Sequence, residues 1–230
     1  MIARRWSALF AAVLLCSPLS ATAQTMPMAP ATPAPAPNAA EAAFLAQMMR
    51  VLPSRYATIA DAQRAGYVRY TNEDGTGAIS YVNVADWVSP DVAHPAQLWY
   101  DVNGRLIGAD YSTLQSLSPN GPPTLLGIAP ARFFKIPAHV HYVLCTGAHC
   151  TYGKAVRVST YATVGDPDHP NAAGLVKLGL APDAASVRTV FLYPAIEDVS
   201  IWVVPNPLGQ FADKNPSVVP SAHAGKGEDM

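Results

Sequence analysis

Three of the six histidines and two of the three cysteines fall within the stretch KIPAHVHYVLCTGAHC, residues 135–150. Imidazole and thiolate are the side chains that hold transition metals, so this stretch is the first place to look for chemistry. If AHVHYVLC is a strand, its period of two puts His139, His141, Val143 and Cys145 on one face and Val140, Tyr142 and Leu144 on the other. His139 and His141 then stand side by side as x-His-x-His, the start of a zinc or copper site. Zinc normally takes four ligands, or three plus water, so two are too few. A third from His169, or from His149, His94, Asp166 or Asp168, requires the fold to bring it close. Three readings stay open for the pair: a metal site, a half-exposed structural face, and an acid–base role, since imidazole titrates near neutral pH.

The cysteines lack C-x-x-C spacing, which removes the thioredoxin-like redox motif. An even pair, Cys145 and Cys150, in an exported chain predicts a disulfide that staples a hairpin. The loop it closes is small, so its chain-entropy contribution is about 2 kcal/mol. If the two cysteines sit opposite each other, Lys154 faces His141 and Val156 faces His139. An ammonium in that position would repel a bound cation.

Other stretches offer less. Asp166, Asp168 and His169 in GDPDHPN are types that hard-cation loops use, yet flanking Pro and Gly favour a turn leading into a helix. NEDGTG, residues 72–77, falls short of the twelve-residue calcium loop. G-x-S-x-G, H-E-x-x-H, the P-loop and G-x-G-x-x-G are all absent, which argues against an enzyme without excluding one. Ten aromatics, among them Trp87, Trp99, Phe133, Phe134, Phe191 and Trp202, are either core or the lining of an apolar pocket. The terminal loop PNPLGQFADKNPSV reads as ordered, and Asn206, Asp213 and Asn215 are its candidate site-rim contacts.

The elements that must position these residues follow from periodicity. Phe44, Leu45, Met48, Met49 and Leu52 recur at helical spacing over residues 39–52. TIADAQRAGY gives a second helix between a Thr58 cap and Gly66. Strands follow: GYVRY, GAISYVNV, then LWYDV and RLIGADY joined by Asn103-Gly104, which predicts a two-residue type I′ turn. AHVHYVLC, RTVFLYP and DVSIWVVP are later strands. The last is apolar on both faces (Val199, Ile201 and Val203 against Trp202 and Val204), as expected of a strand covered on both sides. NAAGLVKLG and APDAASVR suggest short inserted helices. The expectation is an α+β domain with N-terminal helices followed by a mostly antiparallel sheet.

The ends set the compartment. Residues 1–23 have the positive start, short apolar run and Ala-Thr-Ala site of a cleaved secretory signal. The apolar run is too short to span a bilayer, and no later stretch is long enough. Residues 24–37 form a Pro/Ala-rich linker, 38–216 a single globular domain, and 217–230 a disordered tail. Net charge is −1 with 13% charged residues, so no basic face for nucleic acid is expected.

The segments ADAQRAGY, ISYVNV, the LWYDVNGRLIGADY hairpin, AIEDVSIWVV and NPLGQFADKNP together resemble a group of exported bacterial proteins of unknown function. That group's pattern runs from A-x-x-A-G-Y through H-Y-V-N and H-x-D-L-H-V-W to N-P-x-G-x-F-A-x-x-N-P. The resemblance covers about residues 56–218 and implies export and fold, with no activity. Where the pattern carries histidines this chain has Ser80, Ile196 and Ser200. Any metal site built on those histidines is therefore lost here, and His139 and His141 do not replace it. The sequence thus reads as a secreted or periplasmic protein with no cofactor. Its expected role is non-catalytic binding of a small molecule or an envelope component. The alternative is a metal-binding protein or metal-dependent hydrolase built on His139 and His141.

Overall fold

The computed structural model describes residues 32–87, 91–118 and 125–225. The expected signal peptide and the first part of the expected linker lie outside these residues. Two helices come first, α1 (Ala39–Arg55) and α2 (Ile59–Arg64). Strands β1 (Val68–Glu73), β2 (Ile79–Val82), β3 (Gln97–Tyr100), β4 (Leu106–Leu114) and β5 (Phe134–Ile136) follow. Then come β6 (His139–Thr146), β7 (His149–Arg157), α3 (Val158–Tyr161), α4 (Ala172–Lys177), β8 (Val187–Tyr193) and β9 (Ile196–Trp202). One antiparallel sheet has six strands in the order β1-β2-β3-β4-β9-β5, and a second has three, β7-β6-β8. The fold is α+β, as expected.

Asn38 and Glu41 close a capping box at the start of α1, and Thr58 with Asp61 closes another at α2. These satisfy amide donors that each helix leaves orphaned at its first turn. Along α1, Phe44, Leu45, Met48 and Leu52 share a cluster with Tyr81, Leu98, Tyr100, Ala109, Tyr111, Val199 and Ile201 on one face of the larger sheet. Four tyrosines in this layer donate their hydroxyls to backbone carbonyls: Tyr56 to Ala93, Tyr67 to Pro95, Tyr100 to Tyr56 and Tyr111 to Val92. Burying the rings is favourable only because each hydroxyl finds an acceptor. The opposite face meets the smaller sheet through Tyr70, Val82, Trp87, Tyr193 and Ile196. The far side of the smaller sheet packs Val140 and Tyr142 on Tyr161 and Leu175 of α3 and α4. The layers therefore run helix, six-stranded sheet, three-stranded sheet, helices.

Four details differ from the sequence reading. The β3–β4 hairpin is not closed by a two-residue I′ turn, because Gly104 has φ 76° but Asn103 is not at positive φ. Instead Asp101 Oδ1 accepts from the Asn103 and Arg105 amides, and Gly104 N–H donates to the Asp101 carbonyl. The aspartate side chain wins the local competition for those donors and lengthens the loop. APDAASVR forms only a 3₁₀ turn, Ala184–Ser186, before the chain enters β8. The packed chain does not stop at 216. Val218 is buried against Ile107 and Trp202, Ser221 N–H donates to Glu73 Oε1 at 2.6 Å, and Gly225 N–H donates to the Glu73 carbonyl at 2.8 Å. At the other end, residues 32–37 lie against the domain: Ala34 N–H donates to the Leu208 carbonyl at 2.8 Å.

Candidate functional site

The histidine strand holds its alternation but not its expected register. Cys145 does pair with Cys150, and the two are joined by a disulfide. Beyond that point β7 carries one extra residue between Thr151 and Lys154, the partners of Leu144 and Tyr142, with Gly153 at φ 75°. A glycine in the left-handed region is what such a bulge requires. The slip puts Ala155 opposite His141 and Arg157 opposite His139, while Lys154 faces Tyr142. The expected Lys154–His141 juxtaposition is therefore corrected, and with it the argument about repelling a cation.

The histidine face is buried at His141 and Val143 and partly buried at His139 and Cys145, rather than half exposed throughout. It turns inward between the two sheets. His141 is 4% exposed, stacked 5.7 Å from the Phe191 ring and edge-on to Tyr70 at 4.9 Å. His139 stacks on Tyr193 at 4.6 Å, and its Nδ1 is 2.9 Å from the Pro137 carbonyl. Burial pushes the His141 imidazole down to about 3 and lowers His139 as well, so both rings are neutral near pH 7. The two ring centroids are 5.6 Å apart, but His169 sits in an exposed turn held by the Asp166 carbonyl. Among the described residues no three His, Cys, Asp or Glu side chains are grouped so as to hold a metal. Asp166 and Asp168 serve that same turn, Oδ1 of the first accepting from the amide of the second.

A second polar group lies between the sheets, and the sequence reading missed it. β4 pairs with β9 so that Asp110 faces Ser200 and Ser112 faces Asp198. Each strand carries the triplet Asp-x-Ser, and antiparallel pairing sets each acid against the other strand's hydroxyl. Ser200 Oγ donates to Asp110 Oδ1 at 2.8 Å, Trp99 Nε1 donates to Asp110 Oδ2 at 2.8 Å, and Ser112 Oγ donates to Asp198 Oδ1 at 2.5 Å. Beside them Gln97 accepts from Tyr70 and donates to the Tyr193 hydroxyl at 2.8 Å. Asp110 is 4% exposed and Asp198 2%. Burial drives both acids upward, Asp198 to about 7, and the Asp198 carboxylate raises Asp110 further. Two carboxyls on diagonal positions, about 7 Å apart, cannot both ionise cheaply in so dry a setting. Chemically, this is a proton-holding pair sealed from solvent. Ser80, Ile196 and Ser200 lie on the same face of the larger sheet.

The terminal loop divides the three rim candidates. Asn206 and Asn215 are buried braces: Asn206 Nδ2 donates to the Lys214 carbonyl at 2.9 Å and Asn215 Nδ2 to the Pro205 carbonyl at 3.0 Å. Asp213 is exposed and lines an open hollow of about 620 Å³. Phe133, Phe134 and Phe211 also line it, and Phe134 is 47% exposed. Arg132 is the hub of this region. Its guanidinium forms a two-pronged pair with Glu41 (3.1 and 3.2 Å) and lies 4.5 Å over the Phe211 ring. It also donates to the Pro35 carbonyl at 2.9 Å and the Ala36 carbonyl at 3.2 Å. The Arg132 hydrogen bond holds the Glu41 carboxyl below its ordinary value.

No family model matches this chain, and neither a curated protein nor a solved structure does. The disulfide is present, and no helix among the described residues is long and apolar enough to cross a membrane.

Proposed function

We propose that this is an exported, non-catalytic binding domain, periplasmic or secreted, whose ligand surface is the hollow at Arg132, Phe133, Phe134, Phe211 and Asp213. One observation carries the reading: exposed aromatic surface, a charged rim and open volume coincide there. Binding sites combine concave apolar surface with a few placed polar groups. The buried acids Asp110 and Asp198 and the buried His141, by contrast, are closed between the sheets, where no substrate reaches them. The disulfide supports an oxidising compartment. Nuclear magnetic resonance mapping with a panel of soluble peptides, oligosaccharides and fatty acids tests the proposal. At least one class is expected to shift the amides of Phe133, Phe134 and Phe211. A panel that shifts only other regions, or a turnover that disappears in Asp198→Asn, would overturn it.

A further inference from the structure

Residues 32–37 alternate Thr-Pro-Ala-Pro-Ala-Pro and lie along the hollow as a strap. A Pro/Ala run favours the polyproline helix, which makes no internal hydrogen bonds and leaves every carbonyl free as an acceptor. The domain reads those free groups. Arg132 donates to two successive carbonyls, Pro35 and Ala36, while the Leu208 carbonyl accepts from the Ala34 amide. A Cβ on Gly209 would come 3.5 Å from the Ala34 methyl, so the backbone of the terminal loop runs close beneath the strap.

The strap is held but not sunk. Of its six residues only Ala34 is partly buried, and the others are exposed. It crosses its depression without filling it: a hollow of about 210 Å³ and one of about 620 Å³ are both walled by Pro33–Ala36 and by Phe211. Three hydrogen bonds and little buried apolar area make a weak, exchangeable contact. A planar arginine stacked on an aromatic ring, beside further exposed phenylalanine, is the equipment of a surface that recognises extended proline-rich peptide.

We infer that this surface binds an extended proline-rich peptide of another protein and that the chain's own strap is an internal ligand occupying it in cis. The inference rests on the binding-domain reading above and names its partner class. A tethered strap acts at a millimolar effective concentration. If it is docked nine-tenths of the time, a peptide in trans binds about tenfold more weakly than to the free surface.

The test uses the full mature chain and a labelled peptide with the sequence of residues 32–38, followed by fluorescence anisotropy. Pro33→Gly, Pro35→Gly and Pro37→Gly together loosen the strap while leaving the domain and its disulfide intact. The peptide is expected to bind this triple variant about tenfold more tightly than the wild type. Adding Arg132→Lys keeps the charge facing Glu41 but removes the two-carbonyl fork, and the gain is expected to disappear. Equal binding to wild type and triple variant would overturn the inference. A wild-type dimer that dissociates in the triple variant would overturn it too, since a second copy would then be the occupant. If the peptide binds neither form while another ligand still shifts the hollow's resonances, this inference fails and the binding-domain reading stands. If nothing shifts them, both fail.

Discussion

Asp198→Asn removes the charge from the buried acid pair while keeping the shape of the side chain and an oxygen for Ser112. Raising this acid from its ordinary 3.8 to about 7 corresponds to about 4 kcal/mol of differential interaction. Below pH 3.8 the folded and unfolded chains are both protonated at this site, and its contribution is present in full. Between 3.8 and about 7 the folded chain keeps a proton that the unfolded chain has released, so stability falls by about 1.4 kcal/mol per pH unit. Above about 7 both states are ionised and the loss is complete. The buried histidines act in the opposite direction below 6.5, because folding holds His139 and His141 neutral. The comparison must therefore be variant against wild type at each pH. Urea unfolding followed by tryptophan fluorescence supplies it. The stability advantage of Asp198→Asn should widen by about 3 kcal/mol from pH 4.5 to pH 7.5. Relief of Asp110, which the Asp198 carboxylate pushes upward, adds to that gap. A gap that stays constant across the range would refute the claim that this pair retains a proton in the folded state.

Three further outcomes follow from the packing. His141→Phe removes a buried Nδ1 with no hydrogen-bond partner among the described residues. Because the native imidazole resists protonation, the variant should gain stability over wild type as pH falls from 6.5 towards 5, by roughly 1 kcal/mol or more in urea midpoints. A Cβ on Gly108 would lie 2.2 Å from the Trp99 ring, and that ring's Nε1 holds Asp110. Gly108→Ala should therefore cost about 1–3 kcal/mol and alter the near-ultraviolet circular dichroism of Trp99. Replacing Cys145 and Cys150 by alanine should lower stability by about 2 kcal/mol, and a thiol assay on wild type purified without reductant should find Cys145 and Cys150 unreactive.

What the sequence made legible was local. The spacing of Phe44, Met48 and Leu52 announces α1, and Thr58 and Gly66 bound α2, because the physics of a helix turn is decided within a few residues. The cysteine pairing needed only an even count and a short loop. Alternation in β9 correctly sent Val199 and Ile201 to one face and Trp202 to the other. The acid pair was not read, although the signal was visible as Asp110-Tyr111-Ser112 and Asp198-Val199-Ser200. Those triplets become a cluster only when strands some ninety residues apart pair in one register. The histidine register failed for a smaller reason of the same kind. One residue is absorbed at Gly153, and a slip of one exchanges every cross-strand neighbour. Asn206 and Asn215 looked like ligand contacts because polar loop residues usually face outward; here they satisfy carbonyls that the turn would otherwise leave unpaired.

The place of β9 in the sheet also bears on how the molecule acquires its shape. β9 lies between β4 and β5, and β5 hydrogen-bonds to no other strand of that sheet. Until residues 196–202 have been made, β4 presents an open edge and the acid pair is one-sided. The last described residues then tie down Glu73 on β1. Closing loops of this length before any contact rewards them makes folding slow, a matter of milliseconds to seconds by topology. A nearly complete chain is thus the smallest piece that can close.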